Sequence, residues 1–136
     1  MTAGYTGTPL AKKLNLKDGM RVWFADMPES VRAEIDEAGF NLSVEDVPGN
    51  GLNAAHIFVT ECARMEEHLD NLRRLIDPAG FVWVSWPKKA SRVETDITED
   101  TIRKIALPRD WVDIKVCAID EIWSGLKLVI RKELRG

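Results

Sequence analysis

Indoles, cations and hydroxyls gather at two places in the sequence: Trp86-Pro87-Lys88-Lys89-Ala90-Ser91-Arg92 near the middle of the chain, and Trp123-Ser124 near its end. An indole offers a stacking surface, and a lysine or arginine offers charge-assisted hydrogen bonds to an anion. The stretch Gly4-Tyr5-Thr6-Gly7-Thr8-Pro9-Leu10 adds two further hydroxyls. Thr6, Thr8, Trp86, Lys88, Lys89, Ser91, Arg92, Trp123 and Ser124 therefore form the candidate ligand-binding set, suited to a small planar or anionic molecule. A bland alternative stands beside it: the glycine-rich N-terminal segment lies across the strand ends as a plug, with both tryptophans as its packing partners.

Other reactive residue types point less far. Cys62 and His68 are six apart on an expected helix, which turns them to different faces, so no metal site is expected from His56, Cys62, His68 and Cys117. Cys117 within a strand and His56 at the start of one read as packed residues, and no catalytic residue is assigned. Ser85-Trp86-Pro87-Lys88 carries the letters of the Ser-x-x-Lys motif of penicillin-recognising enzymes, which needs one helical turn between serine and lysine. Proline after a strand denies that turn.

These residues must be positioned by alternating helices and strands. Thr8 to Asn15 reads as a short helix with Thr8 as N-cap and Pro9 at its first position. Arg21 to Ala25 is a buried strand, Asp26 to about Ala38 a helix with Gly39 past its end, and Phe40 to Val44 a short strand. Pro48-Gly49-Asn50-Gly51 is a loop, and His56 to Thr60 the next strand. Met65, Leu69, Leu72 and Ile76 recur at helical spacing, so Glu61 to Ile76 is a helix, stopped by Asp77-Pro78-Ala79-Gly80. Phe81 to Trp86 is a strand ended by Pro87. Thr98 caps a helix that must end before Pro108. Val112, Ile114, Val116 and Ala118 alternate with other residues, as do Leu126, Leu128 and Ile130, which predicts an antiparallel hairpin turning at Asp120 to Gly125. The expected fold is a three-layer Rossmann-like α/β domain spanning 1–136, with a mostly parallel sheet and a C-terminal antiparallel hairpin.

Bulk properties agree with one cytoplasmic domain. The chain has 136 residues, 45% hydrophobic and 30% charged, with 19 basic against 22 acidic side chains and a net charge of −3. No overall field draws it to nucleic acid or an anionic membrane, and Lys12, Lys13, Lys17 and Arg21 are interleaved as on any solvated face. The N-terminus lacks a basic and apolar leader, and two distant cysteines make no disulfide framework.

The element order, with the approach Leu14-Asn15-Leu16-Lys17-Asp18-Gly19-Met20-Arg21-Val22 to the first strand, resembles a class I methyltransferase core shortened around its third strand. That resemblance implies S-adenosylmethionine over the first strand's end, a glycine-rich loop beneath it, and an acid after the second strand, matched here by Glu45 or Asp46. Asp26-Met27-Pro28-Glu29-Ser30 stands where the glycine loop would be, which argues against the usual pose, and no cofactor is assigned. The chain also resembles a bacterial domain family of unknown function. Three segments carry that likeness: Gly4 to Leu10 with Lys13-Leu14, Trp86 to Ser91, and Asp113 to Asp120 running into Trp123-Ser124-Gly125-Leu126-Lys127.

In an open α/β sheet ligands bind outside the carboxyl ends of the strands, and the three candidate segments are expected to converge there. The leading expectation is a non-catalytic binding or interaction module for a small anionic ligand or a protein partner. The alternative is a transferase that takes S-adenosylmethionine or a nucleotide in an altered pose. A third reading is a structural subunit whose terminal strand pairs with another chain.

Overall fold

The computed structural model describes residues 7–135. Its elements are α1 (Leu10–Lys13), β1 (Arg21–Ala25), α2 (Glu29–Asp36), β2 (Ser43–Glu45), β3 (Leu52–Phe58), α3 (Cys62–Leu75), β4 (Ile76–Pro87), α4 (Glu99–Ala106), β5 (Trp111–Ala118) and β6 (Trp123–Ile130). The strands form one sheet in the order β2-β1-β3-β4-β6-β5. The first four in that order run parallel, and β6 is antiparallel to both β4 and β5. This is the mixed, Rossmann-like α/β sheet with a terminal hairpin that the sequence pattern implies.

Strand alternation sends side chains to two cores. On one face, Ala55, Ile57, Val82 and Val84 pack against Met65, Leu69 and Leu72 of α3 and Ile102 and Ala106 of α4. On the other, Val22, Ala54, Phe58, Phe81 and Trp83 pack against Leu10 and Leu14 of α1 and Val31 and Ile35 of α2. The helical spacing of α3 thus does what it predicts. Ile76 joins the same core, but as the first residue of β4.

Several boundaries differ from expectation for local reasons. Pro9, not Thr8, occupies the N-cap of α1, with φ −53° and ψ 147°. Asn15 is left-handed (φ 63°), which ends the helix early. Pro28 likewise stands at the N-cap of α2, so Asp26 lies outside it. Phe40 and Leu42 precede β2, which holds only Ser43–Glu45, and Val44 is exposed. β3 starts at Leu52, before the expected His56, because Leu52, Ala54 and Ala55 pair in the ladder without the β-branched residues that mark strands in sequence.

Asp77-Pro78-Ala79-Gly80 does not separate helix from strand. It is a bulge inside β4: Leu52 pairs with Ile76, yet Ala54 pairs with Phe81. Ala79 N donates to Asp77 Oδ1 at 2.8 Å. A Cβ on Gly80 would stand 2.6 Å from the Asn53 carbonyl oxygen, so the position needs glycine. The hairpin turn is shorter than Asp120 to Gly125, since Trp123 already lies in β6. A register shift at Ile114 also breaks the expected alternation of Val112, Ile114, Val116 and Ala118, leaving Ile114 56% and Val116 53% exposed. Thr98 caps α4 as expected, accepting from Thr101 N at 3.1 Å.

At four residues α1 cannot hold itself helical, so the sheet must hold it. Trp83 Nε1 donates to the Leu14 carbonyl at 2.9 Å, Lys115 Nζ to the Lys13 carbonyl at 3.0 Å, and Lys127 Nζ to Asn15 Oδ1 at 2.9 Å. Trp83→Phe keeps a large ring but strands a buried carbonyl. It should cost about 1–3 kcal/mol in urea unfolding, and an unchanged midpoint would show that Leu14 finds another donor.

Candidate functional site

The carboxyl edge of the sheet carries the ends of β1, β3, β4 and β5. There the chain leaves β4 at Pro87 and makes a single 3-10 turn over Lys89–Ser91, closed by Arg92 in the left-handed region (φ 64°). Residues 92–98 then fold back over β3. Thr95 Oγ1 donates to the Thr60 carbonyl at 2.6 Å and accepts from Ile97 N at 3.1 Å. Asp96 N donates to the Thr60 carbonyl, and Asp96 Oδ1 accepts from Cys62 N at 2.8 Å, at the start of α3. Ile97 is buried in the core beneath.

Between this strap and the end of β4 lies a cavity of about 540 Å³, lined among others by Trp86, Lys89, Arg92, Val93, Thr95 and Glu99. That size suits a small ligand. Trp86 is only 8% exposed, so its indole is fixed by the core, and neither Lys89 nor Arg92 makes an ion pair with a described residue.

The nine candidate residues divide. Trp86, Lys89 and Arg92 meet at the cavity. Trp86 pairs with Ser124 and Pro87 with Trp123 across β4 and β6, so alternation puts the two indoles on opposite faces. Trp123 packs edge-on against Phe58 at 5.1 Å, on the α1 side. Lys88 is committed to the hairpin turn: its amide donates to the Ile122 carbonyl at 2.7 Å and its Nζ to the Asp120 carbonyl at 2.6 Å. Ser91 Oγ donates to the Lys88 carbonyl and accepts from Val93 N, which shapes the 3-10 turn. Thr8 is exposed ahead of α1, and Thr6 lies outside the described residues.

Sequence reasoning missed Val93, Thr95, Ile97 and Glu99. The available signal was Ile97, an isolated apolar residue in a polar loop, followed at once by the α4 cap.

At the end of β1 the chain has no glycine run, and Asp26 adopts φ 56° there. Of the two acids after β2, Glu45 is held by Arg21 through bonds of 2.7 and 3.1 Å, which lower its pKa, while Asp46 is exposed. Reactive groups are quiet. Burial, with Asp96 beside it, pushes the Cys62 thiol up to about 11, and burial also raises Cys117. Ser85 Oγ shares a 2.6 Å hydrogen bond with His56 Nε2, both buried, and so does not serve Lys88. Among the described residues no three His, Cys, Asp or Glu gather as a metal site, and no helix is long and apolar enough to cross a membrane.

No protein-family model matches the sequence, and neither does any curated protein. Solved structures do match in fold. A TehB-like SAM-dependent methyltransferase from Corynebacterium glutamicum superposes with a TM-score of 0.57 at 9% identity, covering 95% of this chain and 91% of that one. A SAM-dependent methyltransferase from Aquifex aeolicus gives 0.58 at 16% identity over 88% and 89%. The magnesium protoporphyrin IX methyltransferase of Synechocystis, with bound SAH, gives 0.57 at 11% over 89% and 78%. The chain therefore has the methyltransferase-like fold.

Burial holds the His56 pKa at about 3, down from 6.5. Below pH 6.5 the unfolded chain takes up a proton that the folded one refuses. Stability contributed by this site should fall by about 1.4 kcal/mol per pH unit between those values. Urea unfolding at pH 7 and pH 5 checks this, with His56→Gln expected to flatten the dependence; equal slopes in both proteins would locate the acid sensitivity elsewhere.

Proposed function

We propose that the chain is a transferase that binds S-adenosylmethionine or a nucleotide at the carboxyl edge of its sheet, displaced from the end of β1 to the cavity over Trp86. The cavity itself carries the reading: a core-fixed indole beside two cations without ion-pair partners, at the strand edge where open α/β sheets take ligands. Its chemistry fits a nucleoside with an anionic tail, the base lying against Trp86 and the carboxylate or phosphates meeting Lys89 and Arg92, while of the two carboxylates in the lining Glu99 is engaged by Arg103 and Glu94 is exposed to solvent. The end of β1 fits less well. Asp26 and Met27 place side chains where a glycine loop would admit the ligand backbone-close, and Glu45 is spent on Arg21. S-adenosylmethionine, when bound, would supply the methyl group, and the chain's own part is to bind and orient it.

A second reading is a non-catalytic sensor for the same ligand class, which needs only the indole and cations that line the cavity. It shares the site and differs only in turnover.

Thermal unfolding against S-adenosylmethionine, its demethylated product, adenine nucleotides and inorganic phosphate tests the binding. A ligand at a hundred times its Kd should add about 2.7 kcal/mol, or roughly 5–10 °C in Tm. Lys89→Ala with Arg92→Ala should remove the shift while leaving the unliganded Tm within about 1 °C, because both side chains are exposed. A shift that survives the double substitution would sink the placement, and no shift with any nucleoside would sink the function. Release of demethylated product over time separates transferase from sensor.

A further inference from the structure

The face of the sheet opposite the cavity carries a second concentration of charge. In the register of β5 and β6, Lys115 stands directly across from Lys127. Like charges so placed repel each other, and the ordinary remedy is a carboxylate on a neighbouring strand or helix. None is supplied. Every ion pair among the described residues uses arginine, and no lysine takes part in one.

The surroundings add cations instead of removing them. Lys115 Nζ reaches the carbonyl of Lys13, and Lys127 Nζ reaches Asn15 and lies 4.4 Å over the Phe81 ring. The Lys127 ammonium is held below its ordinary pKa, first by burial and then by the charges of Lys115 and Lys17. Lys13 and Lys115 together act on the Cys117 thiol. Four lysines from three separate stretches thus share one patch on a protein of net charge −3. Two of the sequence segments singled out above, Lys13-Leu14 and the run from Asp113 to Lys127, meet here.

Clamping α1 does not exhaust these side chains. Each ammonium has three donors, and Lys115 and Lys127 each direct one at α1. Lys17 is exposed, and its ammonium makes no hydrogen bond or ion pair with a described residue.

We propose that Lys13, Lys17, Lys115 and Lys127 form a binding site for an oligophosphate group, separate from the Trp86 cavity. A compact polyanion satisfies the free donors and relieves the cross-strand repulsion in one step, whereas a monoanion neutralises only one of four charges. The site stands on the β5–β6 register and the end of α1, and is independent of the transferase reading.

Calorimetric titration with sodium tripolyphosphate, and with sodium chloride and sulfate at matched ionic strength, tests it. Saturable tripolyphosphate binding is expected, strongest at low salt. Lys17→Ala, on an exposed loop that holds up no element, should weaken it about tenfold, as loss of one close and partly screened charge pair would. Lys115→Gln should weaken it similarly and Lys115→Arg should restore it, and an unchanged urea midpoint for Lys115→Gln would show that the loss follows the charge and not the α1 clamp. Lys89→Ala with Arg92→Ala should leave the Lys17-dependent part of the binding in place, whatever it removes at the Trp86 cavity. Equal heats with matched chloride, or binding lost with the Lys89/Arg92 pair and kept with Lys17→Ala, would overturn the proposal.

Discussion

One row of side chains crosses four strands beneath α1: His56 on β3, Trp83 on β4, Lys127 on β6 and Lys115 on β5, each paired with the next in register. Three of the four bond to the C-terminal end of α1, which is too short to persist alone. Trp83 satisfies the buried Leu14 carbonyl, Lys115 the exposed Lys13 carbonyl and Lys127 the Asn15 side-chain oxygen, and the two lysines bring positive charge to the negative end of a helix. The fourth, His56, turns to Ser85 and is sealed neutral beneath the same layer. Because α1 covers Val22, Ala54 and Trp83, this polar row inside an apolar face sets where the N-terminal layer sits, and so what remains open at the carboxyl edge.

The two faces divide labour accordingly. On the α1 side, Trp123, Phe58 and Ile119 close against the covering layer. On the α3 and α4 side, α4 starts only at Glu99, so the strap 92–98 bridges from β4 to it and leaves space beneath. Three interactions tie the strap down at the end of β3 through Thr60 and Cys62, so the cavity has a firm wall on one side and mobile-length cations, Lys89 and Arg92, on the other. At the far end of the sheet, β5 is an edge. The bulge at Ile114 and the flanking charges Asp113 and Lys115 disfavour pairing with another strand even though Ile114 and Val116 are exposed.

Periodicity made most of this fold legible. The spacing of Met65, Leu69 and Leu72, the alternation of Leu126, Leu128 and Ile130, and Thr98 before α4 each stated a local energy minimum that the tertiary structure kept. What the sequence hid was what only register decides. Asp77 to Gly80 carries turn chemistry and does make a tight local turn, but within a strand, because Ile76 is claimed by Leu52. Trp86 and Trp123 look like partners in sequence and are separated by a one-residue offset across β4 and β6. Lys88 and Lys89 are adjacent and chemically identical, yet the hairpin turn captures the first and leaves the second at the cavity.

The same offset bears on where a ligand can lie. Three features usually make the carboxyl edge of such a sheet receptive near its middle: a backbone-close loop after the first strand, a free acid after the second, and unsatisfied amides at a helix start. Here Asp26, left-handed at φ 56°, brings a carboxylate to the end of β1, Arg21 has taken Glu45, and Asp96 occupies the first amide of α3. Each substitution satisfies a polar group internally, and together they leave the middle of the edge with little binding free energy to offer an anion. One strand further along, at the end of β4, the buried Trp86 lines the cavity, and Lys89 and Arg92 make no ion pair with a described residue. The polar groups at the middle of the edge are thus satisfied within the chain, whereas the side-chain cations of Lys89 and Arg92 beside the cavity are left to solvent.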